Sequence, residues 1–258
     1  MLIDFYKYHG TANDFVIIDN RSNWFDNSKP EIIKKLCDRR IGIGADGLML
    51  LQNNPDFDFE MKYFNSDGLE GSMCGNGGRC ITAFAKKLNI ISETTEFLAV
   101  DGVHLAEIKG EMVKLKMNDV SEIKPILNGY FLNTGSPHYV EFIENIEIED
   151  FFEKGKALRF SKEFAPSGTN VNFLTFQKGM FKMRTYERGV ENETLSCGTG
   201  TVASALVAAF KDSKIQSPLL LSAPGGNLKV YFKRNSSVFF DVWLEGPASF
   251  VFQGSIII

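Results

Sequence analysis

Two short segments of the chain join a thiol to a run of glycines: Met73-Cys-Gly-Asn-Gly-Gly-Arg-Cys80 and Ser196-Cys-Gly-Thr-Gly-Thr-Val-Ala203. A cysteine at a helix N-terminus is a candidate base, because the amides there lower a thiol pKa from about 8.5 to roughly 3.5–7.5. The glycines that follow expose successive backbone N–H groups, a nest suited to a carboxylate and to negative charge that develops on it. A thiolate and a thiol on opposite faces of one carbon form an acid–base couple that removes a proton from one side and returns one to the other. That inverts a stereocentre. Two such thiols share one proton, so their titrations belong to the pair.

Other chemistry finds less support. His9, His104 and His138 have no metal-ligand spacing among themselves or with cysteine, and no Cys-x-x-Cys occurs, so no metal is expected. No Gly-Lys-Ser/Thr closes a phosphate loop, and Gly42-Ile-Gly-Ala-Asp-Gly47 lacks the strand-turn-helix setting that dinucleotide binding needs. Cys37 and Cys80 fall among helical residues with apolar neighbours and read as buried structural thiols.

The elements that would carry Cys74 and Cys197 repeat. The two cysteines are 123 positions apart, and Gly10-Thr-Ala-Asn-Asp-Phe-Val16 aligns with Thr134-Gly-Ser-Pro-His-Tyr-Val140 at an offset of 124. After the first segment, strands around Phe97–Val100, Val103–Ile108 and Val113–Met117 are joined by turns at Asp101-Gly102 and Lys109-Gly110. After the second, Leu219–Ser222, Leu228–Phe232 and Val238–Trp243 follow in the same order. Helical composition begins after the glycines, at Ile81–Leu88 and Val202–Phe210. The chain therefore reads as two copies of one α/β (α+β) architecture. The boundary falls between Asp119 and Pro125: residues 1–120 carry Cys74, residues 121–248 carry Cys197, and strands within 249–258 return to the first half. A dyad between the copies would bring the cysteines together in an inter-domain cleft. If the glycines are only tight helix starts, this argument fails, but a cysteine in both copies speaks against that.

The remaining composition narrows the partners. With 258 residues, 44% of them hydrophobic, and a net charge of −4, the chain is long and apolar enough for a large core and has no basic face for nucleic acid. No apolar run approaches the roughly 18–20 residues of a membrane span, and Asp4 and Lys7 interrupt any leader-like segment, so a cytoplasmic protein is expected. Four cysteines are too few for a disulfide framework.

Several motifs resemble those of the diaminopimelate epimerases. They are His9-Gly-Thr-Ala-Asn-Asp-Phe15, Gly42–Gly47, Phe64-Asn-Ser-Asp-Gly68, Met73–Gly77, Gly135-Ser-Pro-His138, Thr169-Asn-Val171, Tyr186-Glu-Arg-Gly189 and Glu193–Gly200, spread over nearly the whole chain. The resemblance implies two pseudo-symmetric domains, each a mostly antiparallel curved sheet around a central helix. It implies an epimerase that interconverts LL- and meso-2,6-diaminopimelate for lysine synthesis without pyridoxal phosphate or any other cofactor, as a homodimer. It places the catalytic pair on Cys74 and Cys197 and the nests on Gly75-Asn76 and Gly198-Thr199. Contacts to the remote end of the substrate fall on Asn13, Asn65, Asn170 and Arg188, and Glu187 lies near the cysteines. His138 and Glu187 match positions that tune the thiols. Gly47 and Ser136 depart from the Gln and Asn of many members. A proline-type racemase is the nearest rival, and a thiol redox switch or a ligand-binding module is the reading from another class.

Overall fold

Strands with apolar residues on alternate positions build the sheet that holds Cys74. In β1 (Leu2–Gly10) Ile3 and Phe5 are buried between exposed Leu2 and Asp4. β2 (Asn13–Asp19) and β3 (Gly47–Gln52) are apolar on both faces, because the sheet is covered on both sides. Val16, Ile18, Leu48 and Leu50 join Ile33 and Leu36 of helix α1 (Pro30–Cys37) in one cluster. Each such side chain contributes about 1.5–3 kcal/mol by burial. β4 (Phe59–Asn65) leads to α2 (Gly75–Lys87), which packs on β1, β2, β3 and β6, and β5 (Thr94–Ala99), β6 (Gly102–Lys109) and β7 (Met112–Lys116) follow.

The computed structural model describes residues 2–71 and 73–258. It divides into one unit comprising the residues up to Leu115 with Gly246–Ile258, and a second comprising Lys116–Glu245. The second contains β8 (Lys124–Ile126), β9 (Gly129–Asn133), β10 (Pro137–Phe142), α3 (Phe151–Arg159), β11 (Asn170–Gln177), β12 (Met180–Glu187), β13 (Asn192–Thr194), α4 (Gly198–Lys211), β14 (Leu219–Ala223), β15 (Gly226–Asn235) and β16 (Val238–Pro247). The last strand is β17 (Ser249–Ile257).

Apart from the short β13, which pairs with β12 where the first unit has only an isolated bridge between Phe64 and Glu70, the two topologies match strand for strand. In the first unit the order is β17-β1-β2-β3-β4-β5-β6-β7, with β2–β3 and β4–β5 parallel and the other neighbours antiparallel. In the second it is β8-β9-β10-β11-β12-β14-β15-β16, with β10–β11 and β12–β14 parallel at the same places. β17 pairs with β1, Leu2 opposite Ile257, and takes the place that β8 has in the other copy. This is the α+β, strand-dominated repeat expected from the sequence.

Two local readings need correction. Both central helices begin at the glycines, at Gly75 and Gly198, and not after them. Close packing explains this for Gly200, where a Cβ would lie 2.5 Å from Asn172 Oδ1. The C-terminal segment is one continuous strand and not two.

Candidate functional site

Cys74 and Cys197 hold the same place in the two units, each the N-cap residue of the central helix with extended backbone. Gly75, Asn76, Gly198 and Thr199 are the first residues of those helices, so their N–H groups have no partner within the helix. Cys74 is half-buried and Cys197 is 8% exposed.

Around Cys74 the surroundings are charged. Its Sγ accepts the Gly77 N–H at 3.2 Å and lies 4.0 Å from Asn13 Oδ1. Asn76 Nδ2 donates to the same Asn13 oxygen at 3.2 Å, and Asn13 Nδ2 donates to Asp46 at 2.7 Å. Behind them Arg39 bridges Asp14 and Asp46, each at 2.7 Å, and the buried Lys7 pairs with Asp14 at 2.7 Å and donates to the Gly44 carbonyl. Burial opposes ionisation of Asp14, but hydrogen bonds from Arg39 and Lys7 outweigh it and hold the carboxyl well below its ordinary range. Arg79, one turn into α2, is 0% exposed and donates to Asn76 Oδ1, Thr11 Oγ1 and the carbonyls of Gly75 and Pro247. Burial lowers its pKa from the ordinary value, against the opposing influence of Cys80 and Cys74. Asn65 ends β4 opposite Gly47, and its exposed side-chain amide makes no hydrogen bond among the described residues. At Gly47 itself, a Cβ would lie 2.5 Å from the Tyr63 ring, so Tyr63 fills the space that a longer residue would need.

The hydrogen-bonding side chains beside Cys197 are neutral ones. Its Sγ lies 3.6 Å from Thr199 Oγ1, which is 2.9 Å from His138 Nε2. Asn172 Nδ2 donates to the Tyr139 carbonyl at 3.0 Å, which fixes that amide as a donor to His138 Nδ1 at 3.1 Å. His138 Nδ1 therefore accepts and Nε2 carries the proton, which it donates into the pair of hydroxyls of Thr199 and Ser136, with Thr199 Oγ1 beside the sulfur. Burial, with a smaller push from Arg188, lowers the His138 pKa to about 3, so the ring stays neutral. Ser136 sits within this group, 3.0 Å from His138 Nε2 and 3.2 Å from Thr199 Oγ1.

Asn170 is spent on the protein: its amide nitrogen donates to Ser136 Oγ and the Pro137 carbonyl, and its oxygen accepts the Arg188 N–H at 2.9 Å. It thus orients the backbone of Arg188, whose guanidinium donates to the Ser167 carbonyl and pairs with no carboxylate among the described residues. Glu187 accepts the Thr194 hydroxyl at 2.7 Å. Cys37 and Cys80 are buried, and burial pushes Cys37 up to about 12 and Cys80 higher. They are inert. Sequence reasoning missed Arg79, Thr11, Asn172 and the Lys7–Asp14–Arg39–Asp46 network. Arg79 left a signal as a charge in the motif where the second copy has Val202, and Thr11, Asp14 and Asp46 left one by lying within the motifs His9–Phe15 and Gly42–Gly47. Among the described residues, no three or more His, Cys, Asp or Glu side chains are placed to hold a metal ion.

Solved structures with this fold include a phenazine biosynthesis protein of the PhzF family from Bacillus anthracis, at TM-score 0.81 and 14% identity over all of both chains. A probable proline racemase from Agrobacterium radiobacter aligns at TM-score 0.71 and 14% identity over 99% of this chain and 93% of that one. At such identities the likeness defines a fold class, the twice-repeated epimerase and PhzF-like architecture, and no activity. Sequence comparison decides further. The diaminopimelate epimerase family model matches residues 5–122 and 130–251. The curated diaminopimelate epimerase of Flavobacterium psychrophilum is 48% identical over 97% of this chain and 99% of its own length. That of Chlorobaculum tepidum is 42% identical over 96% and 98%. The chain belongs to the diaminopimelate epimerase family.

Proposed function

We propose that Cys74 and Cys197 are the two proton-transfer groups of this isomerase, which interconverts LL- and meso-2,6-diaminopimelate in lysine biosynthesis. One observation carries the assignment: in each copy of a duplicated fold, a free thiol caps the N-terminus of the central helix. The thiolate of one takes the α-proton, and the thiol of the other delivers a proton to the opposite face. The Gly75–Asn76 and Gly198–Thr199 amides hold the α-carboxylate and the charge that builds on it, so the reaction needs no cofactor. At the remote end, the fork of Arg188, which has no carboxylate partner among the described residues, binds the second carboxylate, and Asn13, Asn65 and Glu187 complete the recognition of carboxylate and ammonium. Asn170 acts by setting Arg188, and His138 by setting Thr199 beside Cys197.

Two thiols that must stay reduced support work in the cytoplasm, and exposed Phe250, Val251 and Phe252 on the edge strand β17 support a homodimer. The fold is shared with proline racemase, so the substrate needs its own test. In deuterium oxide the enzyme should place deuterium at Cα of diaminopimelate with inversion, and leave L-proline untouched. Exchange into proline, or none into diaminopimelate, would overturn the proposal.

A further inference from the structure

Arg79 is a fully buried cation with no carboxylate partner among the described residues. A charge in such a place is unfavourable unless something requires it. The fold does not. By the 123-residue offset the same place in the second copy is Val202, equally buried at 0% exposure on the equivalent turn of α4. The arginine therefore answers a need of the Cys74 loop alone.

The hydrogen bonds show that need. Arginine can only donate, so Asn76 must turn its oxygen to Arg79 at 2.9 Å and its nitrogen to Asn13 at 3.2 Å. At the other end a carboxylate can only accept, so Asn13 must turn its nitrogen to Asp46 at 2.7 Å, which leaves its oxygen toward Asn76 and the Cys74 sulfur. Neither amide can flip without breaking a bond to a charged group. Arg79 also holds Thr11, at 3.1 Å, in the tight turn between β1 and β2 just ahead of Asn13. That turn is strained: Thr11 and Ala12 have φ of 51° and 64°, where glycine or asparagine is favoured. A tie from the helix holds it in place.

We infer that Arg79 is the positioning residue of the Cys74 half of the site, acting through Asn76 and Thr11 to hold Asn13 and Asn76 in one orientation beside the sulfur. The inference rests on the proposed role of Cys74, and the experiment separates the two. Arg79→Met, Arg79→Lys, Asp46→Asn and Cys74→Ala are compared with wild type for kcat, KM and thermal midpoint. Arg79→Met should lower kcat/KM about 10²-fold, the scale of a small misplacement in an active site, while the thermal midpoint holds or rises, as the buried Val202 of the other copy suggests. Arg79→Lys should recover part of the loss, and Asp46→Asn, which frees the far end of the relay, should lose about tenfold. Activity of Arg79→Met within threefold of wild type, or a loss in proportion to a fallen midpoint, overturns the inference. If Arg79→Met does not fold, wild-type kinetics in both Arg79→Lys and Asp46→Asn overturn it instead. Full activity in Cys74→Ala overturns the thiol assignment itself.

Discussion

The loops around Cys74 and Cys197 are copies of one structure with opposite electrostatic solutions. Both thiols cap a helix that begins with glycine, but behind Cys74 stand the charges of Arg79, Asp46, Arg39, Asp14 and Lys7, whereas behind Cys197 stand Thr199, Ser136, Asn172 and a neutral His138. Duplication preserved the placement of the thiol and left its surroundings free to diverge. Asn76 corresponds to Thr199 and Arg79 to Val202, so a charged donor and two oriented amides in one copy answer to a hydroxyl and a buried imidazole in the other. The lesson is that a helix N-terminus supplies what both sites share, and side chains from neighbouring strands supply what differs.

Short of removing a thiol or Arg79, the largest change should come from breaking the neutral side. Thr199→Val removes the hydroxyl that faces Cys197 and leaves His138 Nε2 without that partner, so kcat should fall about 10²-fold, read by steady-state kinetics, while Thr199→Ser keeps most activity. Next is substrate choice. Arg188→Lys should lose about tenfold or more in discrimination between diaminopimelate and an analogue without the remote carboxylate, because an ammonium cannot reproduce the bidentate fork. An equal loss on both compounds would remove that role from Arg188.

A smaller effect belongs to stability. His138 binds a proton near pH 6.5 when unfolded but only near pH 3 when folded, so between these values the unfolded chain holds the extra proton. His138 therefore makes the protein lose stability as pH falls through that window, by at most about 1.4 kcal/mol per pH unit for one proton. His138→Gln should flatten this part of the denaturation profile between pH 6.5 and 4. Least affected should be Cys37 and Cys80, which alkylation of the native enzyme should leave unmodified while Cys74 reacts.

Local and repeated features were legible in the sequence. The offset of 123 to 124 residues exposed the duplication, hairpin turns marked the paired strands, and a cysteine followed by glycines marked both helix starts. That the glycines themselves belong to the helices was not legible, since glycine is a poor helix former; at Gly77 and Gly200 it reflects close packing, against Met49 and Met61 in one copy and Asn172 in the other. Nor could a single sequence show the partners that polar residues find at long range. Asp14 with Arg39, Asn172 with His138 and Arg79 with Thr11 are 25, 34 and 68 positions apart. The same limit hid the partners of Asn170, whose amide is turned to Ser136, Pro137 and Arg188.

Whether the two thiols act on opposite faces of one carbon is tested most directly by isotope exchange in single variants. Cys74→Ala and Cys197→Ala are each given LL- and meso-diaminopimelate deuterated at Cα, and washout of label is followed beside conversion to the other isomer. Conversion should fall at least about 10³-fold in both variants, within the range for a lost general acid or base. Each should still wash label from one stereoisomer, and the two should choose opposite ones. Near-wild-type conversion by either folded variant, or washout from the same stereoisomer in both, would contradict the two-thiol mechanism.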